Sequence, residues 1–314
     1  MAGEERWLDK TVRRVRAFAY EPKTEPPVLP APRPKIGLAL GGGFARGIAH
    51  IGVLRVFEEN QIPIDYLAGT SVGALIAAGY AGGSTLEEME QVGLATRFKD
   101  FAEWTVSWQG LASDTRLQRY LRRLTPMRWF EELRIPLAIV ATDILTAEAA
   151  SFTKGDIGSA LCASCAYPGL FRPVERDGRL LVDGFLAAPV PTEAARNLGA
   201  DFVVAVNLAS LSKDERPTNL FEIISRSFSI LMNYTEMNWR PAADVVIEPD
   251  VTEFRWDDFP RTPELIAAGE RATRQALPRI LDALHRAERV REPAPAPAEP
   301  EPTGDGSRSS ERES

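Results

Sequence analysis

Ser71 stands between two glycines in Gly69-Thr70-Ser71-Val72-Gly73, a Gly-x-Ser-x-Gly spacing. Such a spacing suits a nucleophile at a sharp strand-to-helix turn, because side chains two residues either side would crowd it. The following helix would aim its free N–H groups and positive dipole end at the hydroxyl. The same residues also fit a plain turn with an N-capping serine. A second group is the loop Gly41-Gly42-Gly43-Phe44-Ala45-Arg46-Gly47, whose backbone N–H groups can gather around an anion. It fits neither nucleotide pattern. From Gly41 the last glycine position of a dinucleotide fingerprint is Arg46, from Gly42 the middle one is Phe44, and Ile48 replaces the lysine of a phosphate loop. An oxyanion hole uses the same backbone geometry for a transient charge. Arg46 adds a cation there, or pairs with a structural carboxylate.

A serine needs a base, and the chain has two histidines. A triad of the order Ser, acid, His leaves only His285, on the last amphipathic helix. His50, on the helix after the glycine loop, reads as a core residue with one satisfied hydrogen bond. Asp183 ends the apolar run Leu180-Leu181-Val182 before Gly184. It either caps a turn or serves as the carboxylate of a Ser71–Asp183 dyad. Cys162-Ala163-Ser164-Cys165 is a lone pair of cysteines without the further ligands zinc requires, and it reads as helix packing.

The elements that must position these groups alternate. Strand Ile36–Leu40, a helix through Ile51, Val53, Leu54 and Phe57, strand Ile62–Ala68 and the helix after Ser71 predict parallel strands with right-handed crossovers. Both glycine turns then fall at one edge of the sheet, where ligands bind in open α/β folds. Further elements are expected at Leu86–Ala95 (helix), Leu137–Thr142 (strand), Phe202–Leu208 (strand), Leu220–Met237 (helix), Asp244–Ile247 (strand) and Thr262–Ala287 (helix). The aromatic, charge-poor stretch from Phe98 to Leu111 reads as an apolar cap over an acyl cleft or as a satellite core. Asp114 to Leu124 reads as a helix with four arginines on its polar side.

The N-terminal 35 residues form a separate arm. Trp7, Leu8, Val12, Val15 and Phe18 share one side of a basic helix, which suits an anionic membrane surface or a docking contact. A proline-rich linker follows. A single folded domain is expected over 36–290, with its motifs in 36–210. The Pro/Ala/Glu and Ser/Arg/Glu bias of 291–314 predicts a disordered tail. The 314 residues carry a net charge of -7, which argues against a nucleic-acid partner, and two cysteines, which argue against a disulfide scaffold. The uncharged run Tyr66–Leu86 has the length of a membrane span, but its glycines, hydroxyl residues and elbow favour a buried strand and helix. The N-terminus lacks the apolar core of a secretory signal. The expectation is a cytoplasmic protein, either free or peripheral to the inner membrane face.

Four segments together resemble the patatin-like phospholipase family, in particular its bacterial branch similar to neuropathy target esterase. They are Leu40 through Leu54, Gly69 through Ala74, Ser164-Cys165-Ala166-Tyr167-Pro168-Gly169 and Val182-Asp183-Gly184, in this order. The resemblance implies a three-layer α/β/α sandwich with a mostly parallel central sheet. It implies a Ser–Asp dyad hydrolysing acyl esters of lipids or phospholipids, with no metal and no cofactor. It assigns Ser71 as nucleophile, Asp183 as base, and the amides of the Gly41, Gly42, Gly43 and Phe44 turn as oxyanion donors. Two positions depart from the family pattern: Phe44 often is glycine, and Phe185 usually is glycine or alanine. They motivate an alternative reading, a non-catalytic membrane or regulatory module that keeps the fold.

Overall fold

A computed structural model of the chain describes residues 33–97, 100, 119–120, 125, 127–208, 216–217 and 220–291. The expected N-terminal helix, the linker up to residue 32, nearly all of the aromatic stretch 98–111, nearly all of the expected helix 114–124 and the tail from 292 lie outside these residues. The compact unit begins at Arg33, before the expected boundary at 36. Its start is fixed by charge: Arg33 and Lys35 pair with Asp65, and the Lys35 N–H donates to Asp201 at 2.7 Å.

The strands are β1 (Ile36–Leu40), β2 (Tyr66–Thr70), β3 (Leu137–Asp143), β4 (Ala149–Phe152), β5 (Val174–Arg176), β6 (Arg179–Asp183), β7 (Phe202–Val206) and β8 (Val245–Ile247). The described helices are α1 (Ala49–Glu59), α2 (Val72–Gly82), α3 (Leu86–Ala95), α4 (Ile157–Ser164), α5 (Thr192–Asn197), α6 (Leu220–Trp239) and α7 (Thr262–Arg291). The sheet runs β5-β6-β3-β2-β1-β7-β8, with β4 also pairing β3. Pairs β1–β2, β1–β7, β2–β3 and β7–β8 are parallel, while β4, β5 and β6 add antiparallel partners.

Both faces of the central strands are covered, as parallel sheets require. Ile36, Leu38 and Leu40 of β1 and Phe202, Val204 and Val206 of β7 enter one core with α1, α2 and α7. The alternate residues Ala39, Val203 and Ala205, with Ala68 and Ala138, pack against Ala194 and Ala195 of α5. This period of two with both sets buried makes the three-layer α/β/α sandwich. Arg55 on α1 holds the first helical layer together by pairing with Glu90 of α3 and Glu270 of α7.

Strand β2 starts at Tyr66 rather than Ile62. The Ile62 N–H closes the end of α1 by donating to Phe57 O, Pro63 has no N–H to offer a ladder, and the Asp65 carboxylate accepts the Ile36 N–H. Strands β4 and β5 carry no strong pattern in the sequence, since their residues are short runs that are partly exposed. The glycine loop and Ser71 do face the same edge: Leu40 pairs with Gly69, so β1 and β2 deliver their turns side by side.

Candidate active site

Ser71 has φ 55° and ψ −123°, a conformation that non-glycine residues rarely adopt. Its hydroxyl does not cap α2. It donates instead to Asp183 Oδ2 at 2.9 Å, so the N-cap reading gives way to a serine–carboxylate pair. The elbow is tight because Gly73 crosses the end of β1: a Cβ there would lie 2.2 Å from the Leu40 carbonyl oxygen. Ser164, fully buried at the end of α4, fastens the elbow from below. Its Oγ accepts the Ser71 N–H at 2.8 Å and donates to Val140 O at 2.6 Å.

Asp183 reaches the serine through β3. Thr70 pairs with Val140 and Asp183 with Ala141, consecutive positions on that strand. The chain then turns over Val140, where only glycine fits: a Cβ on Gly184 would lie 2.2 Å from Val140 O. Three hydroxyl and amide bonds hold this turn: Thr142 Oγ1 donates to Asp183 O, the Ala187 N–H donates to Thr142 Oγ1, and Thr70 Oγ1 donates to Ala188 O. Phe185 does not tilt the acid away. Its N–H donates to Asp183 Oδ1 at 2.9 Å, and its ring lies along Gly42. Asp183 is 2% exposed, and burial raises its pKa from 3.8 to about 7 against the lowering by the Phe185 N–H and the Ser71 hydroxyl. A base of that pKa is poised for proton transfer near neutral pH.

The glycine loop narrows the expected donor set. Gly41 N–H donates to Val206 O and Gly42 N–H to Pro189 O, both at 3.1 Å, so neither amide is available to an oxyanion. The Ser71 N–H is likewise taken by Ser164. Gly43 and Phe44 are the other two residues of the expected set. Phe44 has φ 50°, and its ring packs edge-on against Tyr167 at 4.9 Å and Trp256 at 5.8 Å. Arg46 is spent on structure: Nε donates to Phe254 O at 2.8 Å and ties the loop to that segment.

Neither histidine bonds to the pair among the described contacts. His50 is fully buried, and its Nε2 lies 2.8 Å from Gly41 O. Burial lowers its pKa to about 4, so it is neutral at pH 7 and Nε2–H is the donor to that carbonyl. Cys165, partly exposed, places its thiol in hydrogen-bond contact with Ser71 and near Asp183. Burial and the Asp183 charge push that thiol well above 9, so it stays protonated and is no rival nucleophile. The role of Ser164 as an anchor escaped the sequence reading, where it stood inside a family-like segment without a task, whereas His50 is the core residue with one hydrogen bond that the sequence suggested.

A cavity of about 530 Å³ lies along α2, the helix that follows Ser71, with neither Ser71 nor Asp183 in its lining. Val72, Leu75, Ile76, Gly79 and Gly82 of α2 form one wall, and Ile48, Met89, Val92 and Phe259, with Glu88 and Arg134, form others. The eleven residues of α2 rise about 16 Å in total, and lining residues come from both ends of the helix.

Known proteins share much of this sequence. Residues 38–196 match the family model described as patatin-like phospholipase. An uncharacterized NTE family protein of Mycobacterium tuberculosis H37Rv is 32% identical over 212 residues, covering 62% of this chain and 55% of that protein. Human patatin-like phospholipase domain-containing protein 6 is 29% identical over 228 residues, covering 70% of this chain and 16% of that protein. Lysophospholipase NTE1 of Mycosarcoma maydis is 31% identical over 231 residues, covering 70% and 12%. The chain thus spans about half the length of the mycobacterial relative and less of the others. Among solved structures, VipD from Legionella pneumophila aligns over 80% of this chain and 67% of that one, with TM-score 0.45 and 15% identity. Human GIVD cytosolic phospholipase A2 aligns over 82% and 59%, with TM-score 0.46 and 11% identity.

Proposed function

The chain belongs to the patatin-like phospholipase family, and we propose that it is a serine acyl hydrolase acting on lysophospholipid or phospholipid esters. The observation that carries this reading is the 2.9 Å bond from the Ser71 hydroxyl to a buried Asp183 carboxylate. Ser71 Oγ attacks the ester carbonyl carbon while Asp183 Oδ2 takes its proton. The carbonyl oxygen becomes an oxyanion facing the Gly43 and Phe44 N–H groups, and the N-terminal end of α2 adds positive potential. Collapse breaks the ester C–O bond; the leaving alkoxide takes the proton back from Asp183. Water then attacks the acyl-serine, giving its proton to Asp183, and that proton returns to Ser71 Oγ as the fatty acid leaves.

The cavity along α2, walled by apolar side chains together with Glu88 and Arg134, is the candidate berth for the acyl chain. The test is release of fatty acid from lysophosphatidylcholine by the wild type, Ser71→Ala and Asp183→Asn. The wild type releases it, and each variant is slower by at least about 100-fold. Equal rates in all three would refute the reading. The alternative of a binding module without catalysis rested on Phe44 and Phe185; the Phe185 amide bonded to Asp183 speaks for hydrolysis instead.

A further inference from the structure

Phe44 is the strained residue of the glycine loop. Its φ of 50° lies in the left-handed region that bulky side chains avoid, between Gly43 and the buried Ala45. Glycine would adopt this conformation at no steric cost. A phenylalanine keeps it only where its surroundings leave no alternative. Here the surroundings are two rings. Tyr167 meets the Phe44 ring at 4.9 Å and 62°, and Trp256 meets it at 5.8 Å and 72°. Both are edge-on contacts, a geometry aromatic pairs favour. Each ring is itself fixed. Tyr167 is 5% exposed, its ring meets Phe228 of α6 at 5.8 Å, and its hydroxyl donates to Ser225 Oγ at 3.2 Å. Trp256 belongs to a segment tied to the same turn: its carbonyl accepts the Ala45 N–H at 3.0 Å, and Phe254 O accepts Arg46 Nε–H at 2.8 Å.

We propose that Tyr167 and Trp256 are positioning residues: they clamp the Phe44 ring and so hold the Phe44 backbone in the left-handed conformation that aims its N–H at the oxyanion. The inference rests on the acyl-hydrolase reading, which gives that N–H its task. The angle φ sets the peptide plane carrying the N–H relative to the Phe44 side chain. With the ring held on two edges and φ at 50°, the direction of the N–H is therefore fixed before a substrate arrives. Preorganisation of this kind is what a donor to a transient charge needs, and a small misplacement is costly in rate. The clamp is assembled from two distant parts of the chain, the turn after α4 and the segment before α7. Neither ring touches the reacting atoms in this account; both act through Phe44.

The experiment uses the full chain and a water-soluble butyrate ester. Tyr167→Leu and Trp256→Leu keep apolar bulk and remove the ring edges; each is made alone and together with Phe44→Gly. Alone, each should lower kcat by about tenfold or more, with KM changed by less than about twofold, because the lost alignment matters most in the transition state. In the Phe44→Gly background the same substitutions should change kcat by less than about threefold, since glycine needs no clamp. Tyr167→Phe, which keeps the ring, should lose far less than Tyr167→Leu. Crystal structures of the two single ring variants should show residue 44 leaving positive φ. Equal kcat losses in both backgrounds would make the rings plain packing and overturn the inference. So would unchanged kcat in the single variants, no turnover by Phe44→Gly, or a positive φ kept at residue 44 in both variants. Should Tyr167→Leu not fold, Trp256→Leu carries the same comparison. A wild type that leaves the butyrate ester intact would count against the hydrolase reading, with the φ of residue 44 still deciding the clamp.

Discussion

Replacing Asp183 with asparagine should make the protein more stable at alkaline pH while removing its base. The carboxyl is buried, and its pKa rises from 3.8 to about 7 on folding. The folded state therefore holds a proton that the unfolded chain has already released across that interval. Stability from this group is fully present below pH 3.8, declines as pH rises, and is gone above about pH 7. At about 1.36 kcal/mol per pH unit the whole decline is about 4 kcal/mol. Roughly 2–3 kcal/mol of it falls between pH 5 and pH 8. Asparagine keeps the shape, an acceptor for the Phe185 N–H and a donor for the serine oxygen, without a titrating charge. His50, whose pKa is lowered to about 4, titrates with the opposite sign between pH 4 and 6.5. It is present in both proteins, so the difference between them isolates Asp183. The assay is urea unfolding of both proteins at pH 5 and pH 8. The stability of Asp183→Asn relative to wild type should rise by about 2–3 kcal/mol from the lower pH to the higher, roughly 5–10 °C in Tm. A difference that does not change with pH would refute the buried, proton-holding carboxylate.

Ser164→Ala leaves the Ser71 N–H and Val140 O without their shared partner, so stability should drop by about 1–3 kcal/mol in denaturant titration and turnover should fall with it. His50→Leu removes the donor to Gly41 O; kcat for a soluble ester should fall while KM changes little, measured beside a circular-dichroism check of the fold. Val92→Phe fills the cavity along α2, so palmitoyl esters should be lost as substrates while acetyl esters are kept, read from an acyl-length series.

Much of this site was legible because its parts are local patterns. The elbow around Ser71, the glycine loop and the aspartate at the end of β6 each announce themselves within a few residues, and parallel pairing of β1 and β2 follows from the strand–helix alternation. What the sequence withheld is the long-range hydrogen bonding. Gly41 and Gly42 look like oxyanion donors until Val206 and Pro189, more than a hundred residues away, supply the carbonyls that take their N–H groups. Ser164 acquires its task only when α4 folds beneath the elbow, 93 residues from the amide it holds. Strands β4 and β5 are added at the antiparallel side with half-exposed residues, so no continuous apolar run marks them. Arg46 reads either as a nearby cation or as the partner of a structural carboxylate, and its Nε bonds to the Phe254 carbonyl.

The central claim is that the Ser71 hydroxyl is an activated nucleophile. Its most direct measurement is reaction of the folded protein with an alkyl fluorophosphonate, followed by peptide mass mapping. One adduct on the peptide containing Ser71, absent in Ser71→Ala and much slower in Asp183→Asn, is the result expected. A folded wild type that takes up no label, or takes it up at the same rate without Asp183, would contradict the account.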